Sequence, residues 1–326
     1  MKRGVYLLRP ALKRVLWGGN KLQKHYGKDA AATESVGESW EVSAMPGMES
    51  ADASTGLSLS ALWAAERAHL AGPEASAEFP LLVKLLQCEQ VLSVQVHPND
   101  MQAQQLAGAP QQSAVCGKLE AWLVLESAPD AWILFGLAAG KAPHDLLAAT
   151  KQGPSAVIAC LQQHAVKPGQ LWLVEPGTVH APGPGIVMLE VQQPSDLTYR
   201  VYDWERRDAN GQERTLHPAQ ALRVMAQPRT EGPHAQLDLA APEQCLVNTH
   251  TFRMEHWQVQ GAKDVLVPQM TVLHMLEGCG RISAMGDSCV LRKGATCLLP
   301  RGATIARIEG EGLRLAAITA PRSSSR

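Results

Sequence analysis

The sequence predicts a mainly β protein with two β-barrel (jelly-roll) domains and a few short helices. Its 27 glycines and 21 prolines, among 326 residues, mostly punctuate short apolar runs of strand length. Segments in which apolar residues recur at helical spacing are few. The turn sequence PGTVH at 176–180 has a counterpart in PRGAT at 300–304. This echo indicates that one barrel motif occurs twice in the chain.

The N-terminal segments place polar groups beside tryptophan. Residues 10–19 and 37–43 both show this combination. In the second segment, Glu38, Trp40 and Ser43 either line a pocket or belong to an outer strand on which the tryptophan covers a core edge. The residues by themselves favour the strand.

The remaining strand signals are short apolar runs. They lie at Leu81–Leu86, Ala121–Leu125, Ala131–Phe135, Leu171–Val174 and Gly185–Leu189. Apart from its one clear strand, the segment Asp130–Pro168 is predicted to form a helical insertion.

Helical spacing is found in three segments. Leu57–Ala71 is amphipathic and follows a polar loop over 44–56, and Ser155–His164 is predicted as a second helix. Pro218–Val224 is predicted as a third, with Leu222 as its apolar anchor. None of them carries an obvious chemical motif.

Charge and cysteine content limit the classes of function. The net charge is −1 and the isoelectric point is near 6.8, so no long-range field favours nucleic acid or a membrane surface. No apolar run approaches the roughly 20 residues of a membrane span. The N-terminus shows no signal-peptide cleavage pattern, and the seven scattered cysteines are typical of reduced thiols. The sequence therefore predicts a cytoplasmic protein.

A candidate metal site comes from three separate segments. Gln95 and His97 are two residues apart, so on a strand they project from the same face. Glu120 begins a later strand, and His180 closes a strand–turn–strand unit. Two imidazoles, a carboxylate and an amide oxygen suit Zn²⁺, and the dispersed ligands leave coordination positions open for water or substrate. The pattern favours a catalytic zinc over a structural one.

Each histidine also has an ordinary interpretation. His97 precedes Pro98 and can be a turn residue, and His180 can cap a loop. Taken singly, each favours that interpretation, because most histidines are not ligands. The combination of Q-x-H-P, G-K-x-E and G-T-x-H in one chain favours the metal site.

The chain beyond about residue 232 alternates strands with glycine turns. Its pattern G-x-G-x-I…L-x-x-G…L-x-P-x-G is typical of a small cupin-like barrel. It lacks counterparts of the candidate ligands, and His274 and Arg301 are its only tempting polar residues. We therefore predict a metal-binding catalytic cupin domain with helical insertions over 1–231, and a cupin-like barrel without metal ligands over 232–326.

Several sequence blocks resemble the type I mannose-6-phosphate isomerases in their short bacterial form. These blocks, in the order of the family, are WGG at Trp17–Gly19, GESWEVS at Gly37–Ser43, LLVKLL…LSVQVHPND at Leu81–Asp100, GKLEAW at Gly117–Trp122, EPGTVHAPGPGI at Glu175–Ile186 and TYRVYDWERRDANGQERTLH at Thr198–His217. The resemblance covers nearly all of the first two-thirds of the chain, and the last third agrees in kind. One departure is Met45, where relatives often have His.

The resemblance implies an enzyme with a phosphosugar substrate and one zinc ion per chain. It would interconvert D-mannose 6-phosphate and D-fructose 6-phosphate through a cis-enediol and feed mannose and GDP-mannose metabolism. We expect no nucleic-acid or membrane partner, and a monomer or weak homodimer. The zinc ligands implied by the family match the set proposed above from spacing, namely Gln95, His97, Glu120 and His180.

Further residues receive roles from the same resemblance. Arg200 matches the assigned active-site arginine of the family. Lys84, Ser93 and Lys118 fall where the family places groups near the sugar phosphate. For the proton transfer, Glu190 and Lys118 are the candidate bases, and the sequence does not choose between them.

Two other classes of function compete with this interpretation. A non-catalytic sugar-binding cupin would not need Lys118, Glu190 and Arg200 beside all four ligands. An iron-dependent cupin oxygenase would favour a triad of two histidines and one carboxylate with open positions for O₂. The additional Gln95, and cationic side chains suited to a phosphorylated anion, favour the isomerase.

Overall fold

Short strands separated by Gly and Pro turns produce the mainly β, cupin-like structure that the sequence predicts. The computed structural model describes residues 3–31, 33–107, 115–208, 210–226 and 232–321. The strands are β1 (Tyr6–Arg9), β2 (Ala11–Gly19), β3 (Val36–Val42), β4 (Ala51–Asp52), β5 (Leu82–Cys88), β6 (Val94–Val96), β7 (Glu120–Ser127), β8 (Trp132–Leu137), β9 (Leu161–Ala165), β10 (Gln170–Val174), β11 (His180–Pro182), β12 (Ile186–Gln192), β13 (Tyr199–Tyr202), β14 (Ala235–Gln236), β15 (Glu243–Asn248), β16 (Arg253–Val267), β17 (Thr271–Glu277), β18 (Cys279–Ala284), β19 (Asp287–Arg292), β20 (Thr296–Leu299) and β21 (Thr304–Thr319).

Six helices accompany these strands in the described part of the chain. They are α1 (Lys21–Tyr26), α2 (Leu59–Ala71), α3 (Asp100–Leu106), α4 (Pro143–Ala149), α5 (Pro154–Ala159) and α6 (Pro218–Val224). Local capping explains two of the helix starts. The Ser58 side chain accepts a hydrogen bond from the Ala61 amide at the start of α2, and Asn99 and Gln102 form a capping box at α3. No helix in the described chain is long and apolar enough to cross a membrane.

The chain divides into two compact units. The first unit comprises Met1–Arg14, Asn20–Leu85 and Ala235–Arg326, and the second comprises Val15–Gly19 and Leu86–His234. The predicted domain boundary at residue 231 falls in the segment 227–231, outside the described residues. The assignment of 1–231 and 232–326 as domains stays a prediction.

The first unit contains a large antiparallel sheet with the strand order β15-β16-β21-β17-β20-β1-β4. The hairpin β18–β19 adds to it through pairing of β18 with β21. Alternation along β17 directs Leu273 and Met275 into an apolar core shared with Ile308 and Leu315 of β21. These strands thus enclose one core, as in a cupin barrel.

The second unit contains β10, β7 and β12 as antiparallel neighbours, and the five-stranded sheet β13-β6-β11-β8-β9. Its aromatic core includes Trp122, Phe135 and Trp172, with the ring centroids of the last two 5.3 Å apart in an edge-to-face arrangement. A second cluster packs Val94, Val96 and neighbouring apolar residues beneath α6.

Three local predictions are wrong in detail. The predicted helix Ser155–His164 ends early, because β9 forms over Leu161–Ala165 and pairs with β8 through main-chain hydrogen bonds. Leu222 does not anchor α6, since it is 46% exposed, and Ala221 and Val224 are buried instead. The predicted loop 44–56 contains β4, which pairs with β1.

Candidate metal centre

Three buried side chains of the second unit converge on one point. The Nε2 atoms of His97 and His180 each lie 3.5 Å from Glu120 Oε1. The two imidazole centroids are 4.9 Å apart, and all three residues are fully buried. Within the described residues, this is the set of histidine, cysteine and carboxylate groups whose ligand atoms lie close enough together to hold a metal ion.

Strand pairing explains why distant segments meet here. His180, the first residue of β11, lies directly opposite Gln95 of β6. His97 follows β6 by one residue and therefore projects from the same face as Gln95. Glu120 is the first residue of β7 and pairs with Gln192 of β12. The sequence prediction that these segments are brought together agrees with this geometry.

Hydrogen bonds to main-chain carbonyls orient both imidazoles. His97 Nδ1 lies 3.0 Å from the Leu197 oxygen, and His180 Nδ1 lies 2.9 Å from the Thr178 oxygen. A ring nitrogen that donates to a carbonyl leaves the other nitrogen unprotonated in the neutral imidazole. Both Nε2 lone pairs are therefore directed to the centre. Such hydrogen bonds from the non-ligating nitrogen are usual for metal-binding histidines.

Burial and neighbouring charges keep the three groups in the states that metals bind. Burial, with a contribution from Lys118, lowers the pKa of His97, and burial with the neighbouring His97 lowers the pKa of His180 to about 3. Burial acts to raise the pKa of Glu120, but Lys118 and His97 hold it well below its usual range. The centre thus offers two neutral imidazoles and one carboxylate.

Gln95 lies at the edge of this set. Its amide Nε2 is 3.2 Å from His180 Nε2, and its Oε1 accepts a hydrogen bond of 3.2 Å from the Ser93 hydroxyl. In this orientation the amide donates to the histidine. A half-turn of the amide group would exchange the two atoms and present the oxygen to the centre. Ser93, itself buried, is therefore the residue that contacts Gln95 from outside the centre.

Lys118 is held next to the carboxylate. Its Nζ lies 2.6 Å from Glu120 Oε2 and 3.4 Å from His97 Nε2, and the residue is buried. Its backbone amide donates to the Pro98 carbonyl over 3.0 Å. The preceding Gly117 allows this approach, because a Cβ there would lie 2.6–2.7 Å from backbone atoms of residues 98–100. The HPND and GKLE segments are in close contact for this reason.

Glu190 is linked to the centre through a tryptophan. Glu190 on β12 is paired with Trp122 on β7, and Trp122 Nε1 donates to Glu190 Oε2 over 2.9 Å. The Trp122 ring stands edge-to-face against the His180 ring, with centroids 5.2 Å apart. Sequence analysis missed the role of Trp122. Its position two residues after Glu120, and so on the same face of β7, was the available signal.

Arg200 lies opposite Gln95 on the other side of β6 from His180. Its guanidinium donates to the Thr215 carbonyl over 2.8 Å, and Nε has no hydrogen-bond partner in the described residues. Burial and the neighbouring Arg214 lower the pKa of Arg200, although a guanidinium stays charged in proteins. Arg200, Gln95 and His180 thus form one row across three strands.

An ion cluster near Arg200 was not foreseen. The Asp203 carboxylate, 5% exposed, accepts hydrogen bonds from both Arg206 and Arg214. Burial acts to raise the pKa of Asp203, but the two guanidinium groups lower it below its usual range. The run Asp-Trp-Glu-Arg-Arg contains Asp203 and Arg206, whereas Arg214 lies seven residues beyond it, and nothing in the sequence indicates which arginine pairs with which acid.

Lys84 belongs to the first unit, on β5. Its ammonium lies 4.5 Å from the centroid of the Trp40 ring and 3.9 Å from Glu38 Oε2. Trp40 Nε1 donates to Glu38 over 2.8 Å, and all three residues are buried. The sequence alternative that Glu38 and Trp40 belong to a strand agrees with the structure, in which both lie on β3.

The donor set fits a divalent metal ion. Glu120 Oε1 has no hydrogen-bond partner among the described residues, although it is fully buried. An orphaned buried carboxylate oxygen is costly unless a cation compensates it. Two imidazole nitrogens and one carboxylate oxygen, with a glutamine beside them, are ligands that a metal accepts from three protein segments.

Family models and related sequences both match this chain to mannose-6-phosphate isomerases. The family model for the phosphomannose isomerase type I catalytic domain matches residues 5–115, and the model for the mannose-6-phosphate isomerase cupin domain matches residues 243–319. A mannose-6-phosphate isomerase of Streptococcus mutans serotype c is 36% identical over 88% of this chain and 89% of that relative. The mannose-6-phosphate isomerase ManA of Bacillus subtilis is 34% identical over 84% of this chain and 86% of its own.

Solved structures give the same fold. A mannose 6-phosphate isomerase from Bacillus subtilis superposes with a TM-score of 0.86 at 29% identity, covering 97% of this chain and all of that one. A mannose 6-phosphate isomerase bound with zinc and yttrium shares the fold at 16% identity, with a TM-score of 0.76 and coverage of 98% and 100%.

Proposed function

Because this chain belongs to the type I phosphomannose isomerases and is a mannose-6-phosphate isomerase, we propose that it catalyses the reaction with zinc held by His97, Glu120 and His180. The observation that supports this most is the convergence of both Nε2 atoms on the unpartnered Glu120 Oε1. A relative with the same fold is bound with zinc. We propose one zinc ion per chain.

Gln95 is proposed as the fourth ligand, through its amide oxygen. In that orientation the Ser93 hydroxyl, which now donates to the amide oxygen, would instead accept a hydrogen bond from the amide nitrogen. When bound, zinc supplies Lewis-acid chemistry and a template for sugar oxygens. Lys84 and Ser93 are the proposed substrate-binding residues, and for Lys84 the support is the family resemblance alone.

The reaction requires that a proton move between C2 and C1 of the sugar through a cis-enediol. A base must lie over the carbon, and developing negative charge on oxygen must be stabilised. We propose Glu190 as the base, because Trp122, whose ring packs against His180, donates a hydrogen bond to its carboxylate and so holds that carboxylate near the centre. Lys118 would have to give up its contact with Glu120 to act as a base, so its ammonium is better suited to donate hydrogen bonds to the sugar oxygens.

Arg200 is proposed to stabilise the enediolate. Its guanidinium remains positively charged, and its place in the row with Gln95 and His180 puts it on the same face of the sheet as the centre. Asp203 pairs with both Arg206 and Arg214 and so reduces the repulsion between these two arginines beside Arg200. Its single negative charge offsets only one of their two positive charges, so the pairing leaves the positive charge of Arg200 available to the substrate.

Metal removal tests the proposal. Exhaustive chelation should abolish formation of fructose 6-phosphate in a coupled assay, and stoichiometric zinc should restore it. Metal analysis of the purified enzyme should give one zinc per chain. Full activity in metal-free protein would overturn the zinc assignment, while restoration by iron but not zinc would favour another metal.

The cellular context is also a proposal. The reaction would connect fructose 6-phosphate with mannose and GDP-mannose metabolism in the cytoplasm. The enzyme would act on a small phosphosugar, without a nucleic-acid or membrane partner, as a monomer or weak homodimer. Sedimentation of the zinc-loaded protein tests the assembly state.

A further inference from the structure

The first unit contains a cavity of about 500 Å³ that the isomerase reaction does not use. It lies between β1, the turn that joins β19 to β20, and the chain that follows α1. None of the proposed zinc, catalytic or substrate-binding residues lines it. Small-molecule sites in proteins commonly enclose about 300–1,000 Å³, so the cavity has the volume of a metabolite site.

The floor of the cavity holds a buried ion pair. Lys28 Nζ lies 2.6 Å from Glu41 Oε1, and both residues are buried. The ammonium also donates to the Gly294 carbonyl over 2.5 Å, and the carboxylate accepts from Ser39 and Thr296. Burying an ion pair contributes little stability, because desolvation offsets the attraction. The pair does, however, give the cavity a polar floor that is fixed in advance.

The mouth of the cavity is cationic. Arg9, Arg292 and Lys293 line it, whereas Asp29 is the only acidic side chain that lines it apart from Glu41. Arg9 and Arg292 are exposed and have neither a hydrogen bond nor an ion pair from their side chains to other described residues. Lys293 lies 3.3 Å from Glu277 and so is already paired. Two guanidinium groups without a hydrogen-bond or ion-pair partner among the described residues therefore lie at the opening.

An apolar wall and a closely packed turn complete the lining of the cavity. Leu7, Leu12 and Val290 supply an apolar wall. The turn at Gly294 approaches α1 so closely that a Cβ would lie 2.4 Å from the Tyr26 carbonyl oxygen, and its φ of +82° also favours glycine. This approach positions the turn that carries Arg292.

We propose that this cavity is a second binding site, for a small phosphate monoester. Arg9 and Arg292 hold the phosphate at the mouth, and the organic part lies against the apolar wall above the Lys28–Glu41 pair. Guanidinium groups bind phosphate oxygens in a bidentate manner, which explains two arginines without partners at one opening. The proposal is independent of the catalytic assignment.

Calorimetric titration of the zinc-loaded full chain tests the site, with glycerol 3-phosphate as the probe. The double variant Arg9→Gln/Arg292→Gln should bind it at least about tenfold more weakly than the wild type, equivalent to about 1.4 kcal/mol. Its kcat/KM for mannose 6-phosphate should remain unchanged, because neither arginine belongs to the catalytic centre. Both side chains are exposed, so we expect an unchanged melting temperature.

Two matched variants separate this site from others. Arg281→Gln removes an exposed arginine of β18 that hydrogen-bonds Ser288 and does not line the cavity, so it should bind the probe like the wild type. Lys118→Ala alters the catalytic centre and should also retain this binding. Unchanged affinity in the double variant, or loss of binding in Lys118→Ala instead, overturns the proposal. Equal affinity for inorganic phosphate would overturn the assignment to an ester.

Discussion

Each of the two units contains a pair of fully buried histidines. The two pairs differ in whether their ring nitrogens face a shared carboxylate. In the second unit, His97 and His180 direct their Nε2 atoms to the same carboxylate oxygen. In the first unit, His256 of β16 and His274 of β17 both pair with Ala316 of β21, so one strand separates them. All four side chains are fully buried, so the convergence on an acid, and not burial, distinguishes the pairs.

The hydrogen bonds of the two pairs also differ. His97 and His180 use Nδ1 for backbone carbonyls and leave Nε2 directed to Glu120. His274 Nδ1 lies 2.8 Å from the Thr296 hydroxyl, which in turn donates to Glu41. The ring nitrogens of His256 have no partner among the described residues. Glu41, the acid that His274 reaches through Thr296, is already bound by Lys28, and the described residues around this pair form no candidate ligand set.

The largest expected effect comes from removing one of the two proposed histidine ligands of zinc. His97→Ala or His180→Ala should lose zinc and reduce kcat/KM by far more than the roughly 10- to 100-fold seen when residues behind metal ligands are lost. The apolar core around the site comes from other residues, so circular dichroism should show an intact fold. Full zinc occupancy in either variant would show that the assigned ligands are wrong.

The matched control for that experiment is His256→Gln. It removes an equally buried histidine of the first unit and should retain one zinc per chain and wild-type kcat.

We also predict that the barrel over 232–326 contributes neither a metal ligand nor a proton-transfer group. A metal ion found within that barrel would contradict this prediction and remove the distinction between the two pairs.

Arg200 should have the next largest effect. If it stabilises charge that develops in the enediolate, Arg200→Ala should lower kcat by about a hundredfold or more with a small change in KM. Arg200→Lys keeps the charge without the planar fork, so partial recovery would favour a point-charge role. The control is Arg207→Ala, which removes an exposed arginine paired with Glu213. A raised KM at near wild-type kcat would instead assign Arg200 to ground-state binding.

A smaller effect is expected at Gly117. A Cβ there must displace the backbone of residues 98–100 or move Lys118 from Glu120. Displacements on the order of 1 Å can reduce rates by about a hundredfold, and partial relaxation should limit the loss for Gly117→Ala to about tenfold in kcat. Zinc content should stay near one per chain. Unchanged kcat at full zinc occupancy would show that the position of Lys118 does not matter for the chemistry.

The sequence was sufficient to predict which residues share one face of a strand, because the spacing between them determines it. The two-residue separation of Gln95 and His97 is such a case, and it predicted a shared face that the structure contains. The hydrogen bond between Trp122 and Glu190 depends on the register of β7 with β12, which spacing within one strand does not reveal. The strand at Leu161–Ala165 escaped prediction because its pairing with β8, rather than its own apolar period, determines it.

The smallest expected effect concerns the histidines of the first unit and acid stability. Burial, with Lys28 nearby, lowers the pKa of His274 well below its usual value, whereas the unfolded chain titrates near pH 6.5. Above about pH 6.5 the ring is neutral in both states, and the histidine does not make stability depend on pH. Below that value the unfolded chain binds the proton more readily, so stability falls as pH falls. The expected loss is about 1.4 kcal/mol per pH unit.

His274→Gln should lose less stability than the wild type between pH 7.5 and about 5.5 in urea unfolding of the zinc-loaded proteins. The comparison cancels acid-induced zinc release, which both proteins share. Equal losses would mean that His274 is not held neutral in the folded protein, unlike His97 and His180.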